Sequence, residues 1–166
     1  MIIDGKNAIL GRLASHTAKK LLAGEEITII NAENIIITGR PLQIKSKYLK
    51  FKAIGSPQHG PFFPRQPNMI VRRCIRSMLP YKTPKGRVAF KKLKVYTGSQ
   101  GLKGETKQHD AQSAPPVYIK TIKTNYITVG EVAKTIGSSQ RAHYAPKRAP
   151  YLDNRLESAL PFPRND

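Results

Sequence analysis

Ile2 and Ile3 open the chain as a short apolar strand. Ile9, Leu10, Leu13, Ala14, Ala18, Leu21 and Leu22 then recur at spacings of three and four, which predicts an amphipathic helix. Asn7 is its expected N-cap and Gly24 its stop. Within residues 26–31 the run Ile27-Thr28-Ile29-Ile30 is β-branched at every position and apolar on both faces, the pattern of a strand covered on both faces in a parallel sheet. Strand, helix and strand in that order predict a βαβ unit. Residues 35–38 continue in extended conformation and Gly39 turns the chain. From Pro41 to Ala53, Lys45, Lys47, Lys50 and Lys52 are interleaved with Leu42, Ile44, Tyr48, Leu49 and Phe51. Helix and strand periods compete there, and the length and the leading proline favour a basic helix.

Residues 55–65 hold too many glycines and prolines for either element and predict an ordered loop. Pro67 suits the first turn of the next helix. At about 100° per residue, Val71, Cys74, Ile75 and Met78 share one face of it, with Arg72, Arg73 and Arg76 on the opposite side. Leu79-Pro80 ends that helix. Residues 81–87 form a basic connection stiffened by Pro80 and Pro84, a short helix follows across 88–92, and 93–96 alternates as a strand. Ile27, Ile29, Ile30, Val71, Ile75 and Val95 are the expected core.

From Ser99 to Pro116 the chain is polar and rich in Gly, Gln and Pro, as in a loop or insertion. Tyr126 to Thr128 is extended and leads into a helix over 129–136, with Thr128 and Glu131 in capping-box positions and Gly137 as its stop. These elements predict one α/β domain over residues 1–137, followed by a basic extension over 138–166 with few aliphatics and several prolines.

Composition changes the picture through charge. The 166 residues carry 29 Lys and Arg against 10 Asp and Glu, a net charge of +19. Residues 1–33 hold four basic and four acidic side chains, and residues 105–166 hold nine and six. The 71 residues from Asn34 to Gly104 hold sixteen basic side chains and no acid. Such a segment cannot neutralise its own field by internal ion pairs, so it calls for a polyanion. An anionic membrane would ask for a basic amphipathic helix with bulky apolar residues or a lipid anchor, and neither is evident. No secretory signal or membrane span is visible, and the single Cys74 fits a reducing compartment, so the expected location is cytoplasmic.

Within the acid-free segment the guanidiniums of Arg72, Arg73 and Arg76 lack carboxylates at helical spacing, which leaves phosphate as their best partner. Lys82, Lys85, Arg87, Lys91, Lys92 and Lys94 extend a positive path beside them. Arg40, His59 and Arg65, with the four lysines of 41–53, complete the expected RNA contacts of the domain, and Arg141, Lys147 and Arg148 those of the extension. Phe62, Phe63 and His59 either stack on unpaired bases or anchor their loop to the core, and Tyr81 and Tyr144 pose the same alternative. No zinc-finger spacing or zipper heptad points to a transcription factor.

Catalysis has little footing. The acids are scattered, Cys74 lies on an apolar helix face, the four histidines lack close metal-ligand partners, and there is no Walker loop or dinucleotide fingerprint. The expectation is no enzyme, no cofactor, no metal and no small-molecule substrate.

Three stretches are recognisable together: Arg76-Ser77-Met78-Leu79-Pro80, Lys82-Thr83-Pro84-Lys85-Gly86-Arg87 and Leu93-Lys94-Val95-Tyr96-Thr97-Gly98. They resemble the signature of the family of universal large-subunit ribosomal protein thirteen. Leu10-Gly11-Arg12-Leu13-Ala14-Ser15, Asn31-Ala32-Glu33 and Ile37-Thr38-Gly39 are similar to that family's first helix and second strand with its turn. The family commonly has Gly where this chain has Ser77. The form of 82–87 and the long part after Gly98 look like the archaeal and eukaryotic branch. The resemblance implies a three-layer α/β/α sandwich around a mostly parallel, roughly four-stranded sheet. It also implies a structural role in the large ribosomal subunit, with large-subunit rRNA and neighbouring ribosomal proteins as partners. Alternatives from the residues alone are a free-standing nucleic-acid-binding regulator of translation and an RNA-modifying enzyme.

Overall fold

A parallel sheet of three short strands forms around the apolar run at 27–30. In the computed structural model, which describes residues 1–56, 58–98 and 124–138, the strands are β1 (Ile2–Asp4), β2 (Ile27–Ile30) and β4 (Leu93–Val95), in the order β1-β2-β4. Ile3 pairs with Ile29, and Ile29 with Val95. Helix α1 (Leu10–Leu22) joins β1 to β2, so the predicted βαβ unit is present. Ile27, Ile29 and Ile30 are all buried although successive strand residues face opposite sides, so both faces of β2 are covered.

The expected single sheet of about four strands is instead a parallel sheet of three with a separate antiparallel pair. Strand β3 (Ile36–Thr38) pairs with β5 (Tyr126–Thr128), Ile37 opposite Ile127. A lone parallel bridge from Ile9 to Ile36 ties this pair to the start of α1. That bridge also displaces the helix start: Asn7 takes a left-handed turn at φ 60°, and the Ala8 carbonyl accepts from Ile36 N at 2.8 Å. Ala8 and Ile9 are committed to β3, and the N-cap position falls to Ile9.

Helices α2 (Pro41–Ala53) and α3 (Pro67–Met78) both begin at a proline, whose missing N–H costs nothing in a first turn. Helix α4 spans Pro84–Lys91, where the sequence pattern placed it at 88–92; the Thr83 hydroxyl caps it by accepting from Gly86 N at 3.3 Å. Helix α5 (Val129–Ile136) starts on the predicted Thr128 cap, which accepts from Glu131 N at 3.2 Å, and ends at Gly137 with φ 86°. α3 packs on α1, β4 and α5, while α2 packs on α5 and β5. The six expected core residues are all buried. Met78 is not with them: Ile70, Val71 and Ile75 form the buried face of α3, Cys74 flanks it, and Met78 is exposed. One turn beyond Ile75 the helix has reached its solvent end, where Leu79 takes the buried position instead.

Candidate nucleic-acid interface

Each arginine of α3 lies on an aromatic ring from another part of the chain. The Arg72 guanidinium sits 4.8 Å from the Phe90 centroid, Arg73 4.7 Å from Phe63, and Arg76 5.1 Å from Tyr81. Tyr81 and Phe90 meet edge to face at 5.5 Å, so α4 and the turn before it support Arg72 and Arg76 as one unit. On the other flank Phe63 stacks on Phe51 at 5.2 Å and meets Tyr48 edge-on at 5.6 Å, with Lys47 over the Phe51 ring. Arg73 also donates to the Phe62 carbonyl at 3.2 Å. Among the described residues none of these three guanidiniums pairs with a carboxylate, and the buried Arg72 Nε has no hydrogen-bond partner. A planar cation held on a ring keeps its remaining N–H groups aimed outward at little further cost in side-chain freedom. That suits bidentate contact with phosphate.

The remaining basic side chains spread to both sides of this centre. Lys47 on α2 reaches it over the Phe51 ring that stacks on Phe63, Lys45 is half-buried on the same helix, and Lys50 and Lys52 are exposed farther along it; α2 buries no residue of its own. His59 and Arg65 are exposed on the intervening loop, and Arg40 is exposed just before α2. Lys82, Lys85, Arg87 and Lys91 are exposed around α4, with the Arg87 guanidinium donating to the Lys82 carbonyl at 3.1 Å. Lys94 projects from β4 between two buried neighbours. Lys92 is engaged otherwise: its ammonium donates to the Gly24 carbonyl at 2.8 Å and closes the end of α1. Arg141, Lys147, Arg148 and Tyr144 lie outside the described residues, as do the expected insertion over 99–116 and all but the first residue of the extension.

Phe63 resolves as a loop anchor, half-buried in its ring cluster. Cys74 is half-buried beside Tyr48, and burial pushes its thiol above the ordinary range, so it stays protonated at neutral pH. Tyr48 is raised by its own burial and secondarily by Cys74. The ring partners Phe90, Tyr81 and Phe63 are what the sequence pattern did not offer, because each comes from a different element than the arginine it supports. Among the described residues there is no group of three metal-ligating side chains, and no helix is long and apolar enough to cross a membrane.

Comparison with known proteins decides the family. The sequence profile of the family described as ribosomal protein L13 matches residues 1–101. The chain belongs to the ribosomal protein L13 family. Among its relatives is a large ribosomal subunit protein uL13 from Methanopyrus kandleri, 43% identical over 136 residues, which span 82% of this chain and 86% of the relative. Proteins of the same name from Methanococcus maripaludis and Methanocaldococcus jannaschii are 45% and 46% identical over 142 residues. Those alignments cover 83% and 82% of this chain and 98% and 97% of the relatives. All three sources are archaea, in keeping with the branch expected from residues 82–87.

Most of the family motifs hold the fold and present the charges. Asn31-Ala32-Glu33 meets Tyr96-Thr97-Gly98: Ala32 N donates to the Tyr96 carbonyl, Asn31 N to that of Gly98, and Gly98 N to both Glu33 carboxylate oxygens at 3.0 and 3.1 Å. The Asn31 side chain donates to Asp4 at 2.9 Å, which brings β1 into the same knot. In the second signature the Thr83 hydroxyl donates to the Pro80 carbonyl at 2.8 Å. Gly86 packs so close to Pro80 that a methyl group there would collide with the same carbonyl. These contacts fix the turn that carries Tyr81 under Arg76. Ser77 is exposed and its hydroxyl donates back to the Cys74 carbonyl at 2.7 Å, so a side chain is accommodated where the family commonly has Gly.

Proposed function

We propose that this chain is a structural constituent of the large ribosomal subunit. In this reading it binds large-subunit rRNA and neighbouring ribosomal proteins, supports subunit assembly and stability, and acts in the cytoplasm without catalysis. The observation that carries the RNA contact is the ring-supported arginine face of α3 in a segment without a single acid. Family membership and the uL13 relatives support the ribosomal setting. The side chains assigned to RNA are Arg40, Lys45, Lys47, Lys50, Lys52, His59, Arg65, Arg72, Arg73, Arg76, Lys82, Lys85, Arg87, Lys91 and Lys94, with Arg141, Lys147 and Arg148 in the extension. Lys92 belongs to this set only if RNA displaces its bond to Gly24.

One domain over residues 1–137 with a basic extension from 138 is part of the proposal. The return of β5 and α5 to pair with β3 and pack on α2 and α3 supports it. The covered faces of β2 support the three-layer arrangement. The test is sedimentation of a cell lysate through a sucrose gradient in moderate and high salt. A ribosomal constituent stays with the large subunit in both. A soluble pool near the top of the gradient would favour a free-standing regulator instead.

A further inference from the structure

Phe62 and Phe63 are neighbours in sequence with opposite fates. Phe63 is packed among Tyr48, Phe51 and Arg73, whereas Phe62 is 70% exposed, among the most exposed large apolar side chains described. The exposed ring is nonetheless held. Ser56 and Gly60 exchange reciprocal backbone hydrogen bonds, and Gly60 has φ 76°. A Cβ at Gly60 would lie 3.1 Å from Phe62 Cδ2, so the ring folds over the bare backbone of that glycine. The Phe62 carbonyl accepts from Arg73 Nη1, which fixes the ring's backbone to the arginine face. No acid lies in the surrounding sequence, and His59, Arg65 and Arg73 are its charged or ionisable neighbours along the loop and α3.

An apolar ring kept in solvent and braced beside a guanidinium offers a π-face and a phosphate partner side by side. That is the pair of groups that one unpaired nucleotide presents in reverse. We propose that Phe62 is a single-base stacking site: an unpaired RNA base lies on its ring while the adjoining phosphate meets Arg73. This rests on the RNA-binding reading above.

The test uses the full chain in assembled large subunits, with a benzophenone analogue of phenylalanine at position 62 for photo-crosslinking. The expected product is a crosslink to one or two adjacent rRNA nucleotides. Chemical probing of those nucleotides in Phe62→Leu subunits should show lost protection, and Phe62→Trp should retain it. In binding to purified rRNA, Phe62→Leu should lower affinity roughly tenfold and Phe62→Trp should stay within about twofold, because stacking needs a π-face and not merely apolar bulk. Thermal melting of both variants should match the parent, since the ring buries little. A crosslink to a ribosomal protein or within the chain, no crosslink, or equal behaviour of Leu and Trp overturns the stacking site alone. Absence of the unaltered chain from large subunits overturns the ribosomal reading with it.

Discussion

Replacing Arg72, Arg73 and Arg76 together by Gln removes three cations and three ring contacts, and the two losses are separable. Each phosphate contact contributes roughly 0.7 to 0.9 to the slope of log affinity against log salt, so the Gln triple should flatten that slope by about 2 to 3 for large-subunit rRNA. Each cation on a ring contributes about 0.5–1 kcal/mol at a partly exposed site, so the same variant should lose about 1.5–3 kcal/mol of folding stability. For a domain of this size that corresponds to a fall in Tm of roughly 6–12 °C. The Lys triple keeps the charge and surrenders much of the stacking: its slope should stay near the parent's while its Tm falls. Filter binding of the full chain at a series of potassium chloride concentrations, beside thermal melting followed by circular dichroism, gives both numbers. An unchanged slope in the Gln triple would refute the assignment of this face to phosphate. An unchanged Tm in both triples would refute the supporting role of Phe63, Tyr81 and Phe90.

Three further outcomes follow from the packing. Gly86→Ala should destabilise the domain by about 1–3 kcal/mol in urea denaturation, because its methyl group meets the Pro80 carbonyl and neither backbone can yield. Glu33→Ala should cost about 1.5–3 kcal/mol by the same measurement, since it strips Gly98 N of a charged acceptor in a partly buried knot. Folding raises the Cys74 and Tyr48 values, so the fold favours their protonated forms. Stability should be intact below the ordinary thiol value of 9.0 and decline as pH rises past it and then past the phenol value of 10.0. Melting from pH 7 to 11 should show that decline, with its lower portion absent in Cys74→Ala.

Elements announced by local chemistry were legible in the sequence. Pro41 and Pro67 mark helix starts, Thr128 and Gly137 bracket α5, and the apolar run at 27–30 gives the central strand. What depended on distant partners was not. Asn7 has the composition of a cap, yet Ala8 and Ile9 are claimed by β3, so α1 starts later. The extended character of 36–38 and of 126–128 was visible, whereas their antiparallel pairing across the intervening chain was not. Thr83-Pro84 carried both a cap and a first-turn proline, and reading the two prolines of 80–84 as one stiff connection hid the start of α4.

The site shows the same division. An acid-free segment and an arginine face can be counted from sequence alone. That Arg72 rests on Phe90, Arg73 on Phe63 and Arg76 on Tyr81 cannot, because each contact joins α3 to a segment whose placement is set by the core. The rings turn three long, mobile cations into a fixed surface.

Whether that surface is what anchors the chain in the ribosome is tested most directly by reversing it. Arg72, Arg73 and Arg76 are changed together to Glu, the variant is expressed beside the parent chain, and large subunits are collected from a sucrose gradient. With the fold confirmed by circular dichroism, the variant should be missing from the large-subunit peak where the parent is found. Co-sedimentation of the variant at the parent's level would contradict the assignment of the α3 arginine face to ribosomal RNA.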